Sequence, residues 1–204
     1  MSAARMPPFR DDLAALQIAA QDRDWGALLD TLMRLFLQLE YFSALEIALT
    51  RLHQHLAVFE AYHPEATWAR QLLVSTVSFG VAPQTLPPEA SQTYASPGSA
   101  NFLAGLFDVV RGMERQTPLE NRVRFVANAV SHTILADLAA FWYGQHPDAW
   151  AQQQAHGDDV NPQTGLTMRQ EIYARFWLDD AVAARDTAAW LVVLADIEKK
   201  AGGR

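Results

Sequence analysis

Apolar positions recur along this chain at spacings of three and four, the period of a helix face, and convincing strand-like alternation is absent. Leu28, Leu32, Leu35 and Leu39 form one such stripe, on a helix that Asp24 is placed to cap and that runs to about Glu40. A carboxylate there accepts from free first-turn N–H groups and suits the positive end of the helix. Leu45, Leu49, Leu52, Leu56 and Phe59 mark the next helix, Ser43 to Tyr62. A short amphipathic helix, Asp11–Gln21, precedes these two, and Glu65–Phe79 follows, its end blurred by the β-branched run from Val74 to Val77.

Residues 80–99 carry four prolines and no helical period, which predicts a loop or linker. From Gln71 to Phe107 the only charged side chain is Glu89. So neutral a segment is expected to lie against protein, draped over its own core or meeting a partner. Helix resumes over Asn101–Gln116. Thr117-Pro118-Leu119-Glu120 then predicts a capped start: threonine as cap, proline where no N–H is needed, glutamate reaching back. The helix it opens extends to about Tyr143. A short helix, Pro147–Gln154, and a polar turn from His156 to Gly165 come next. Thr167 with Gln170 predicts a capping box for a helix to about Ala183, and Asp186 is expected to cap a last helix, Thr187–Lys200.

The predicted fold is therefore all-α: a bundle or short solenoid of about seven or eight helices. Some segments echo one another. The stretch His63–Trp68 (HPEATW) resembles His146–Trp150 (HPDAW), and Trp25–Asp30 (WGALLD) resembles Leu103–Asp108 (LAGLFD). These echoes fit a duplicated helical unit of ~80 residues, with the Pro-rich segment as the joint, and they also fit chance likeness between Leu/Ala-rich helices. The expected division is an N-terminal unit 1–79, a Pro-rich linker 80–99 and a C-terminal unit 100–204, packed as one compact domain.

Composition removes several function classes. The 204 residues contain no cysteine, so thiolate metal sites, disulfides and cysteine nucleophiles are excluded. Net charge is −7, with sixteen basic residues against twenty-three acidic ones. An acidic surface without a long basic stripe argues against nucleic acid and against an anionic membrane as partner. The apolar run near the N-terminus follows Asp11 and Asp12 where a signal peptide would be cationic. The nearest approach to a membrane span, Phe125–Pro147, carries Asn128, Ser131, His132, Asp137 and Gln145 and reads as a buried soluble helix. A cytoplasmic protein is expected.

Four groups of residues merit a chemical reading. Glu60 and His63 have the Glu-x-x-His spacing of helical di-metal sites, but only one such motif is present. Pro64 moreover pushes His63 out of the helix, so a helix end is expected and no metal. His53 and His55 lie about 200° apart around a helix, too far to share an ion, and are expected to face solvent. Arg124, Asn128 and His132, at i, i+4 and i+8 on an otherwise apolar helix, are the best candidates for lining a pocket for an anionic or carbonyl-bearing ligand. Arg111, Arg115, Arg122 and Arg124 form a local positive patch. Arg111, Arg115 and Arg122, with Tyr94 and Phe102 of the neutral segment, are the candidate partner-binding residues.

Nucleotide-binding glycine loops, a His-Glu-x-x-His motif and a Gly-x-Ser-x-Gly elbow are missing, and Ser131 and His132 point about 100° apart on their helix. The expected function is a non-enzymatic interaction protein, a scaffold, adaptor or dedicated chaperone, binding a protein partner, with a homodimer as one expected assembly and without cofactor. The alternative is a ligand-binding or catalytic bundle centred on Arg124, Asn128 and His132. A closed pocket at that stripe favours the second; an exposed apolar groove near residues 80–107 favours the first.

Overall fold

The computed structural model describes residues 8–79 and 86–202. Helix makes up 80% of the chain, and no strand occurs among the described residues. The helices are α1 (Phe9–Asp22), α2 (Trp25–Gln38), α3 (Tyr41–Tyr62), α4 (Thr67–Phe79), α5 (Ser99–Gly112), α6 (Leu119–Gln145), α7 (Pro147–His156), α8 (Met168–Leu178) and α9 (Asp180–Gly202). A short 3-10 turn, Pro88–Ser91, lies between α4 and α5. The all-α fold is as the periodicity predicts, and α4 is helical to its end despite the β-branched run.

The long helix α6 is the axis of the bundle. It packs against α5, α3, α2 and α9, with Val126, Ala129, Val130, Ile134 and Leu138 turned inward. Phe36 from α2, Leu52 and Phe59 from α3, Phe102 and Leu106 from α5 and Trp190 from α9 close on it without exposed surface or nearly so. Each such leucine or phenylalanine contributes about 1.5–3 kcal/mol by leaving water. Among the described helices α6 alone is long and apolar enough to cross a bilayer, and half of that apolar window is buried inside the bundle.

Local signals decide several helix ends. Asp24 caps α2 through Ala27 N, 3.0 Å from its Oδ1. Thr167 and Gln170 make the full capping box of α8. Two other starts differ from expectation. Thr117 does not cap α6: the helix begins at Leu119 with Pro118 as its N-cap, and the Thr117 hydroxyl donates to Glu114 Oε2 at 3.3 Å. Asp186 does not start the last helix. The cap is Asp179, whose Oδ1 accepts from Ala181 N and Val182 N, so α9 runs from Asp180 without a break. Asp186 lies buried inside α9, where Trp25 Nε1 donates to its Oδ2 at 3.1 Å and Arg23 Nε stands 3.5 Å away. A capping residue and a buried ion-pair residue look alike until the facing helix is known.

The helix order of the two echoed halves agrees: a fourteen-residue helix, a longer one, then a histidine cap and a Trp-bearing helix. His63 and His146 end their helices with nearly the same backbone, φ −133°, ψ 65° and φ −127°, ψ 61°. Packing departs from that likeness, because α5 lies along α6 whereas α2 packs mainly on α1 and α6.

Candidate functional site

Two prolines, Pro87 and Pro88, set the backbone φ that opens the 3-10 turn, and the chain then crosses α4 and α5 as a strap. Tyr94 pins it. Its hydroxyl accepts from Trp68 Nε1 at 2.8 Å and donates to Glu89 O at 3.1 Å, while its ring packs on Phe59 and His63. Trp68 in turn stacks on Phe107, the planes 9° apart. The described part of the neutral segment thus lies on its own core, and 80–85 fall outside the described residues.

Between the strap and α5 the surface falls into an open groove of about 540 Å³. Leu86, Pro88 and Ala90 form one wall, Phe107 and Val110 the floor, and Arg111 with Glu114 the far rim. Leu86 is 41% exposed, an apolar side chain left at the mouth.

Arg111 connects this groove to the polar stripe of α6. Its Nη1 stands 3.3 Å from Asp108 Oδ1, and its guanidinium lies 5.9 Å from the centre of the Phe125 ring. Asp108 is buried at the α5–α6 seam, and its other oxygen faces His132 Nε2 at 3.6 Å. Burial pushes the Asp108 carboxyl above its ordinary range, while His132 and Arg111 pull it down. The His132 Nδ1 is buried without a hydrogen-bond partner among the described residues. Asn128 is half-buried beside it, and Arg124 points to solvent. The stripe therefore forms an Asp–His–Arg cluster on a shallow seam, able to hold a proton or meet a carboxylate, with His132 one-third exposed.

Sequence reading missed Asp108, which entered only as the last residue of LAGLFD. An acidic residue in the middle of the apolar spacing Leu103, Leu106, Val109 and Val110 was the available signal. The other candidates separate. Arg122 is occupied: its Nε donates to Gly112 O at 2.7 Å and its guanidinium covers Tyr41 at 4.0 Å. Arg115 is exposed. Phe102 is fully buried and cannot meet a partner while α5 stays packed.

Glu60 and His63 do not converge. Arg70 binds Glu60 through two nitrogens, Nε at 2.7 Å to Oε1, and holds that carboxyl below its ordinary range. His63 turns the other way, its Nε2 2.9 Å from Ser96 Oγ. Contrary to expectation His55 does not face solvent: it is buried, with Nδ1 2.6 Å from Asp137 Oδ1 and its ring against Phe102. No group of three or more metal-ligating His or acidic side chains forms among the described residues. Compared with family models, curated proteins and solved structures, the chain matches none.

Proposed function

We propose that this protein is an interaction module that holds a short peptide segment of a partner in the groove between the strap and α5. The groove carries the reading: an apolar floor and wall left open, of a size for one or two side chains, rimmed by Arg111. The open groove lies in the region that favours docking over the closed pocket a ligand-binding bundle would need. The partner presents an apolar side chain for Phe107 and Val110 beside a carboxylate for the Arg111 fork, which offers bidentate donors. A cytoplasmic setting fits the acidic, cysteine-free chain, and the exposed Leu191 and Val192 on α9 support a homodimer.

Selection of peptides from a displayed library tests the reading. Wild type should enrich segments pairing an apolar residue with an acidic one, and Leu86→Glu and Arg111→Glu should each abolish that enrichment. Peptides that bind both variants as well as wild type, or no enrichment at all, would refute it. A small molecule retained stoichiometrically after purification from the native host, and lost in His132→Ala, would instead favour the Asp108–His132 seam as a ligand site.

A further inference from the structure

The fold brings a distant serine, Ser96, to an imidazole and a carboxylate two residues apart, His63 and Glu65, and none of the three lines the groove. His63 ends α3, and the turn Ser96-Pro97-Gly98-Ser99 opens α5 beside it. Ser96 Oγ is 2.9 Å from His63 Nε2, and the Ser99 hydroxyl hydrogen-bonds Ser96 Oγ while standing 3.4 Å from the same ring nitrogen. On the far side of the ring, His63 Nδ1 is 3.7 Å from Glu65 Oε1. In the tautomer that carries the ring proton on Nδ1, toward Glu65, Nε2 accepts from the Ser96 hydroxyl. Hydroxyl, base and orienting acid thus stand in the order that activates a serine nucleophile.

The surroundings fix this order. Phe59 and Tyr94 clasp the imidazole at 5.1 and 5.0 Å. Gly98, at φ 82°, seats the turn against the Ala136 carbonyl of α6. Ser99 N closes the turn on Ser96 O at 3.1 Å, and Phe102 N bonds Gly98 O at 2.9 Å, which holds Ser96 at the start of α5. Ser96 retains 6% of its surface, at the edge of an aromatic wall. That setting fits a small, uncharged acyl donor and rejects a charged one.

We propose that Ser96 is an activated nucleophile that takes the acyl group of a small uncharged ester, with His63 as general base. Ser96 Oγ forms a bond to the ester carbonyl carbon as its proton passes to His63 Nε2. The ester C–O bond breaks, and the leaving alkoxide takes that proton from the imidazolium. Water then attacks the acyl-serine, giving its proton to His63, and Ser96 regains a proton as the free acid departs. Glu65 is a positioning residue, acting through the ring.

A fluorophosphonate probe and p-nitrophenyl acetate test this on the full chain, with circular dichroism confirming the fold of each variant. Wild type should be labelled on Ser96, as mapped by peptide mass spectrometry. Labelling should vanish in Ser96→Ala, persist in Ser99→Ala and fall about 100-fold or more in His63→Gln. Glu65→Ala should slow labelling of Ser96 several-fold, and Glu65→Asp should restore most of the rate, as expected of a carboxylate that orients the ring. A folded wild type that takes no label at Ser96, or one labelled equally in His63→Gln, would overturn the proposal. A labelling rate unchanged in Glu65→Ala would overturn the orienting role.

Discussion

Replacing Gly98 by alanine tests how rigidly the strap is seated on the bundle. Gly98 is the N-cap of α5, at φ 82°, ψ −14°. An alanine there meets two separate costs. Holding a residue with a Cβ in the left-handed region costs about 1–2 kcal/mol. The new Cβ would also stand 2.4 Å from Ala136 O, 3.0 Å from Ala136 C and 3.1 Å from Ala136 Cα, all backbone of the central helix. Backbone in a packed helix cannot swing aside, so α5 must shift, an overpacking cost of about 1–3 kcal/mol. The sum is about 2–5 kcal/mol, and at about 2–4 °C per kcal/mol for a chain of this size Tm should fall by about 4–20 °C. Gly165→Ala separates the terms, since Gly165 has φ 71° but nothing within 4 Å of an added Cβ. It should show the backbone cost alone. Urea unfolding followed by circular dichroism gives both values, with equal slopes certifying the comparison. A Gly98→Ala loss no larger than that of Gly165→Ala would show that the turn yields freely, and the seating of Ser96 and Tyr94 with it.

Three further outcomes follow from contacts already described. Burial raises the Asp186 carboxyl above its ordinary range, against the pull of the Trp25 hydrogen bond and the Arg23 charge. The folded state therefore holds that proton more tightly than the unfolded one. Its contribution to stability is full below the unfolded carboxylate pKa and is lost as pH rises toward the raised folded one. Asp186→Asn should flatten this acid-side slope in urea titrations across pH, and parallel curves would refute the assignment. Tyr94→Phe strips the acceptor from Trp68 Nε1, a loss of about 1–3 kcal/mol, and should speed hydrogen exchange at the Ala90 and Gln92 amides of the strap. Unchanged exchange there would mean Tyr94 does not pin it. Arg122→Lys keeps the charge but loses the planar donor on Gly112 O and the stack on Tyr41, so it should cost about 1–2 kcal/mol in the same urea assay. A variant as stable as wild type would show that charge alone suffices.

What could be read in the chain and what could not divide along a physical line. Leu28, Leu32 and Leu35, or Leu52, Leu56 and Phe59, reveal their helices because burial acts on residues one turn apart, and that spacing lies within the sequence itself. The caps at Asp24 and Thr167 were legible for the same reason, since a cap bonds to amides two or three residues on. Polar residues turned inward obey no such local rule. Asp186 Oδ2 accepts from Trp25, 161 residues away, and His55 Nδ1 meets Asp137, 82 residues away. Each has the local look of a cap or a solvent-facing residue until its partner helix is in place. The stripe of Arg124, Asn128 and His132 follows from spacing along α6 alone, but its chemistry depends on Asp108 from the neighbouring helix, which no spacing within α6 contains. The same holds for Ser96 and His63, brought within 2.9 Å by a helix end and a glycine turn. In a chain whose helices are each ordinary, chemistry has to be sought at the seams, where polar atoms from distant segments must satisfy one another because water is excluded.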